Sequence, residues 1–237
     1  MTSAFEWLQA DKQESRKLAA VLIIREMAKN SPTLVYGFIS QIFDVIWNGL
    51  KDPRDLIRKI AAEAVSACFE VMAARDSGFA EHWFKKVYNQ AVTTFNTSNA
   101  TIDEQHGALL ILKELLIRGP MMKNDAFYPN ACEIVLRLKD HRDSKIRALV
   151  VQVIPVLADY NPIVFTRDYL HKSMIYLQAQ LKREKERNGA FIAIGAIAKA
   201  VGGAMAQYLD GIILYIRESL STKTKNRQAV DEGPMFS

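Results

Sequence analysis

The chain has little of what most chemistry requires. Its 237 residues include only two cysteines, Cys68 and Cys132, far apart in apolar surroundings. That excludes a disulfide framework and any cysteine spacing for a metal, and it fits reduced core thiols in a cytosolic protein. No stretch alternates apolar and polar residues with period two, so no strand is expected. No uninterrupted apolar run reaches the length of a membrane span, so none is expected to cross a bilayer. The opening residues Met1–Glu6 have neither a basic region nor an apolar one, which leaves secretion unsupported. Charge of one sign is never concentrated. The net charge is +5, and basic and acidic residues alternate in runs such as Lys182–Arg187. A nucleic-acid binder shows a single-sign stripe instead, so no nucleic-acid partner is expected.

What is present is apolar and periodic. Apolar residues make up 49% of the chain and charged residues 24%, the balance of a folded domain rather than a disordered one. Five apolar segments share one register: Arg16–Ile24, Arg58–Val65, Gln105–Leu112, Arg147–Ile154 and Arg187–Ile194. A sixth opens at Arg227, and successive starts are separated by 42, 47, 42, 40 and 40 residues. Helical repeats of about 40–47 residues define the HEAT and armadillo class. Three places past each start stand Ala19, Ala61, Ala108, Val150, Ala190 and Val230; seven places past stand Ile23, Val65, Leu112, Ile154 and Ile194. The first column is small, so that a neighbouring helix can approach, and the second is branched and fills space. These segments are apolar around most of their circumference and must be covered on more than one side. We term them B helices.

Between them lie A helices with a narrower apolar stripe at i, i+3, i+4 spacing. Val35 to Leu50 is the clearest. The others run through Phe84–Phe95, Phe127–Leu138, Leu170–Leu181 and Met205–Leu220. Punctuation supports the division. Ser31-Pro32 and Asn161-Pro162 place a capping residue before a proline suited to the first helical turn. Gly119-Pro120 breaks the chain, and Gly202-Gly203 and Asp76-Ser77-Gly78 are expected to supply left-handed caps. Ser3 with Glu6 reads as a capping box. Pro155 falls inside a B helix and is expected to kink it. The expected architecture is an all-α HEAT/armadillo-like solenoid of about five helix pairs. It forms a single domain over residues 1–237, read as a fragment of a longer array with its sixth repeat truncated near 225.

Candidate chemistry is sparse. His141-Arg142-Asp143 matches the tripeptide of a protein-kinase catalytic loop, but the asparagine required five residues on is replaced by Ala148, and no glycine-rich phosphate loop accompanies it. His82, His106, His141 and His171 fall in four segments with no metal spacing. His106 is expected to satisfy a backbone group, and Trp7, Trp47 and Trp83 to pack in the core. Asp52 and Asp55 precede Arg58, and Asp140 and Asp143 precede Arg147. Turn aspartates and B-helix arginines of this kind are expected to form rungs between repeats, with a gap where Gln105 replaces the arginine. No catalytic, cofactor or metal residue is assigned, and no face is assigned to a partner.

Several stretches carry a more particular likeness. Phe5–Asp11, Arg16–Ala28, Asp103–Leu116, Lys182–Gly195 and Lys225–Phe236, in this order and over nearly the whole chain, resemble the early HEAT repeats of the target-of-rapamycin (TOR) serine/threonine kinases. That resemblance implies a non-catalytic arm of a larger kinase whose catalytic domain lies elsewhere. It implies roles in TOR-complex assembly and growth signalling. The implied partners are a Raptor-type accessory subunit, other parts of the TOR dimer and, in some organisms, a small GTPase of the Rheb type. The implied location is cytoplasmic, with the parent kinase peripheral on endomembranes. Some family members carry a long insertion where Gly119–Asp125 is short here. The alternative is a stand-alone HEAT adaptor, resembling a transport receptor or a phosphatase scaffold, which the same periodicity allows.

Overall fold

The computed structural model describes residues 1–10, 13–118 and 126–217. Five helix pairs follow one another in chain order. The first is α1 (Thr2–Gln9) with α2 (Glu14–Asn30). The second is α3 (Pro32–Tyr36) and α4 (Ile39–Leu50) with α5 (Asp55–Ala73). The third is α6 (Ser77–Asn96) with α7 (Ile102–Ile117), and the fourth α8 (Phe127–Arg137) with α9 (Ser144–Tyr160). The fifth joins α10 (Pro162–Val164), a π-helical turn Phe165–Tyr169 and α11 (Leu170–Leu181) to α12 (Glu184–Val201). A 3-10 segment, Gly202–Tyr208, then leads into a further helix over 209–217. No strand occurs among the described residues.

The B helices α2, α5, α7, α9 and α12 are the layer on which the stack is built, each packed on the next. Their small column explains the closeness: Ala61, Ala108, Val150 and Ala190 are fully buried. The branched column is buried from Val65 to Ile194, but Ile23 is 36% exposed. Among the described residues α2 has a B neighbour, α5, on one side only. The A layer is joined, to itself and to the B helices, by bulkier side chains. A chain of rings with centroids 4.8–6.4 Å apart runs through Tyr36, Phe79, Trp83, Phe43, Phe69, Phe84, Phe127, Tyr160, Tyr128 and Tyr169. It links the second repeat to the fifth. Trp47 and Trp83 are core residues as expected, and Trp7 packs partly buried against the core.

Helix ends follow the expected chemistry in some places and depart from it in others. Asn161 Oδ1 accepts from the Val164 amide at 3.1 Å, the anticipated cap before Pro162. Ser31 holds the equivalent position, but its side chain makes no capping bond. Ser3 and Glu6 form no capping box, because α1 already begins at Thr2 and Met1 is its cap. Asp76-Ser77-Gly78 supplies no left-handed glycine. Asp76 Oδ1 instead caps α6 by accepting from Phe79, and Gly78 lies in the first turn of that helix. Gly202 does take a positive φ of 59°, yet with ψ −127° it lies outside the left-handed helical well. The capping box that forms is Thr101 with Glu104, at the start of α7. The helix α9 continues through Pro155. Gly119-Pro120, Leu220 and the sixth start at Arg227 lie outside the described residues.

The expectation about membrane spans needs a correction. The helical stretch Glu184–Arg217 is long and apolar enough to cross a bilayer by length and composition. An uninterrupted apolar run misses such a stretch, because Lys199 and Asp210 interrupt it while leaving the average high. Within the fold it is divided at Gly202, and α12 packs on α9 and α11. We therefore describe it as a B helix followed by the next A helix.

One glycine sits at a close approach between repeats. A Cβ on Gly107 would overlap the carbonyl oxygen of Leu50 and lie 2.8 Å from its carbon. The start of α7 thus rests on the end of α4 backbone to backbone. Gly107→Ala should lower stability by about 1–3 kcal/mol, the cost of overpacking. Gly195→Ala has open space around the new methyl, so it should be neutral or stabilising by up to about 1 kcal/mol. Paired thermal melts of the two variants check the contrast.

Candidate interaction surface and inter-repeat joints

The B helices present an outer face that carries two grooves. One lies across α5, α7 and α9, has a volume of about 330 Å³ and is lined by charge: Asp55, Lys59, Glu63, His106, Lys113, Glu114 and Lys145. The other lies across the C-terminal ends of α7, α9 and α12, with a volume of about 730 Å³. Its walls are Leu116, Ile117, Pro155, Val156, Tyr160, Ala196 and Ala200, with Asp159 and Lys199 as the charged members. Ile117 is 49% exposed and Ile192, on the same helix as Ala196, is 75% exposed. The walls of this groove are mostly apolar.

The turn-aspartate rungs take a form different from the one expected. Arg58 is wholly buried. Its Nη1 donates to the backbone carbonyl of Asp52 at 2.7 Å and to Asp103 Oδ1, in the next repeat, at 2.6 Å. Its Nε donates to His106 Nδ1 at 3.2 Å. His106 therefore serves a side chain of the preceding repeat rather than a backbone group. Arg147 donates to the carbonyls of His141 and Arg142, at 2.8 and 3.0 Å, and to Glu186 of the following repeat at 3.3 Å. Neither Asp140 nor Asp143 accepts from it. Asp143 is occupied as the cap of α9, accepting from the Lys145 and Ile146 amides, and Asp140 pairs with Lys139. Arg187 donates to the Leu181 carbonyl at 2.8 Å. Arg58, Arg147 and Arg187 thus each clamp the carbonyl six residues upstream, which ties the A-to-B turn to its own B helix. Gln105 reaches only Ala100, as a shorter side chain must, and its rung is missing as expected.

Asp52 does form a rung, but backwards. Its carboxylate accepts from Lys17 of the preceding repeat at 3.4 Å and from Arg54 twice at 2.6 Å. Burial alone would raise its pKa, yet the bonds from Arg54 outweigh that and hold it below the usual carboxylate range. Further joints were not anticipated, among them Arg25 to Glu63 at 2.7 Å, and Arg118 to Ser66 and Glu70. Reading acids in the register of the next repeat, immediately before its start, would have found Asp103 and Glu186.

The two thiols are buried and unactivated. Burial pushes the Cys68 and Cys132 thiols up to about 12, so neither forms the reactive thiolate at neutral pH. Among the described residues no three His, Cys, Asp or Glu side chains gather as a metal site. The His141-Arg142-Asp143 tripeptide is a turn, in which the Asp143 amide donates to His141 Nδ1 at 3.1 Å.

Comparison with known proteins places this geometry. No family model matches the chain. Crystal structures of two engineered proteins superpose with TM-scores of 0.51 and 0.52, at 16% and 14% identity, over 92% and 94% of this chain and 90% and 91% of theirs. That likeness concerns the fold alone, and with the stacked helix pairs it defines the class: an all-α helical-repeat solenoid. The sequence matches are narrower. The chain is 42% identical to Serine/threonine-protein kinase tor1 of Schizosaccharomyces pombe over 98% of its length. It is 34% identical to Serine/threonine-protein kinase TOR of Arabidopsis thaliana over 94%, and 32% identical to Serine/threonine-protein kinase TOR2 of Saccharomyces cerevisiae over 96%. The chain spans about a tenth of the length of these relatives. What the chain matches is a segment of the TOR serine/threonine kinases that is not their kinase domain.

The joints predict an order of stability. Arg58→Ala should cost about 3–5 kcal/mol, because it leaves buried partners unpaired in the joint between α5 and α7. Arg147→Ala, at a partly exposed joint, should cost roughly 1–2 kcal/mol. Chemical denaturation of the two variants measures the difference.

Proposed function

We propose that this chain is a section of the scaffold arm of a TOR kinase, which assembles the TOR complex by holding accessory subunits rather than by any reaction of its own. The observation that carries the reading is the 42% identity to a TOR kinase over 98% of the chain, on a helical-repeat fold. A solenoid suits the task, since a stack of repeats presents an extended surface whose outer residues vary without disturbing the joints. In this reading residues 1–237 form one repeat domain within a longer array, with the sixth repeat opening at Arg227. The partners are a Raptor-type subunit, other parts of the TOR dimer and a small GTPase. The setting is cytoplasmic growth signalling, with the parent kinase peripheral on endomembranes.

The test is direct binding of a purified Raptor-type subunit to this chain, alongside removal of the segment from its parent kinase. Binding by the chain is expected. So is a shortened kinase that still phosphorylates a peptide but no longer retains the subunit. No binding, together with unaltered complex assembly by the shortened kinase, overturns the proposal.

A further inference from the structure

We infer that the joint between the second and third repeats is an acid-sensitive hinge, held shut by a neutral His106 and released when that imidazole takes up a proton. The geometry requires the neutral form. Arg58 Nε–H donates to His106 Nδ1 at 3.2 Å, so Nδ1 must offer a lone pair. The remaining proton then sits on Nε2, which faces Asp55 Oδ1 at 3.5 Å. A second proton on Nδ1 would point at an N–H donor. Neither partner can turn away cheaply: Arg58 is wholly buried and His106 is 4% exposed. Arg58 is also pinned through Nη1 to the Asp52 carbonyl and Asp103. The next residue, Gly107, stands against the Leu50 backbone, so the start of α7 has no room to shift inward.

The charges facing His106 come from every element around it. On α5 they are Asp55, Arg58, Lys59 and Glu63, and on α9 Lys145. On its own helix they are Asp103, Lys113 and Glu114. Asp52, in the turn after α4, reaches the cluster through its carbonyl. Asp55 favours the imidazolium; Arg58, Lys59 and Lys145 oppose it. Burial, then Arg58, pushes the imidazole below its ordinary 6.5. The sign follows directly. The opened joint binds the proton more readily than the closed one, so its stability is complete above pH 6.5 and is lost as pH falls towards the depressed value. Asp55 and Asp52 are held below their ordinary 3.8, so their protonation belongs to a lower window.

The experiment is an NMR titration of the whole chain from about pH 7.5 to pH 5, following the His106 ring, the Arg58 Nε–H and amide exchange in α5 and α7. His106 should titrate below 6.5, and the Arg58 Nε–H signal should disappear at the same midpoint. The opening equilibrium of the joint, taken as the exchange rate divided by the intrinsic base-catalysed rate at each pH, should rise by up to about tenfold for each pH unit lost between 6.5 and that midpoint. His106→Gln keeps an acceptor for Arg58 and does not titrate, so its opening equilibrium should be flat over this range. A midpoint at or above 6.5, or an Arg58 signal that survives protonation of His106, overturns the hinge in the unmodified chain. Equal pH dependence in His106→Gln overturns it independently.

Discussion

Everything in this structure depends on B helices lying close enough to cover one another on two sides. The small column Ala61, Ala108, Val150 and Ala190 permits that approach, and the fully buried side chains around it, among them Phe69, Ile57 and Leu112, supply the driving force. Each such side chain contributes about 1.5–3 kcal/mol when removed from water, and that burial is shared between the partner helix of the same repeat and the neighbouring repeats. A single repeat could not recover it alone. The A layer follows from the same constraint: held further apart, its helices are bridged by a chain of aromatic rings.

The polar joints do another task. An arginine that clamps the carbonyl six residues upstream closes the A-to-B turn, and where it also reaches an acid of the next repeat it fixes how two repeats sit together. Buried ion pairs of this kind add little net stability over apolar replacements, because desolvation offsets the attraction. Their removal on one side is costly, and that asymmetry makes them register marks. The His106 hinge is a consequence, since an arginine already fully engaged leaves its last acceptor no freedom to become a donor.

The repeat architecture was legible because it is written in periodicity, which averages over many residues. The five starts and the two columns fall in helices, and so do most of the A stripes, although Val35–Leu50 is divided at Gly37-Phe38 and Met205–Leu220 begins in a 3-10 segment and is described only to residue 217. The gap at Gln105 was legible too, since a missing guanidinium cannot clamp. Individual hydrogen bonds were not. Asp143 had two tasks open to it, and the free amides of Lys145 and Ile146 claim it before Arg147 can. Asp103 and Glu186 lie in the next repeat, so their roles depend on a stacking offset that one chain order does not reveal. The glycines at 78 and 202 show the same limit. A glycine marks a break, while the geometry around it decides which side of the break it serves. The face that meets a partner was not legible, since exposed apolar residues such as Ile192 carry no signal of what covers them.

The central claim is that stability is a sum of joints between neighbouring repeats, and native-state hydrogen exchange tests it most directly. Amides in α7 and α9, with B helices on both sides, should open only at the highest free energy. Those in α1 and in 209–217 should open at much lower cost, with α2 and α12 between them. One common opening free energy from α1 to residue 217 would contradict the claim, because it would show a single cooperative globule rather than a stack.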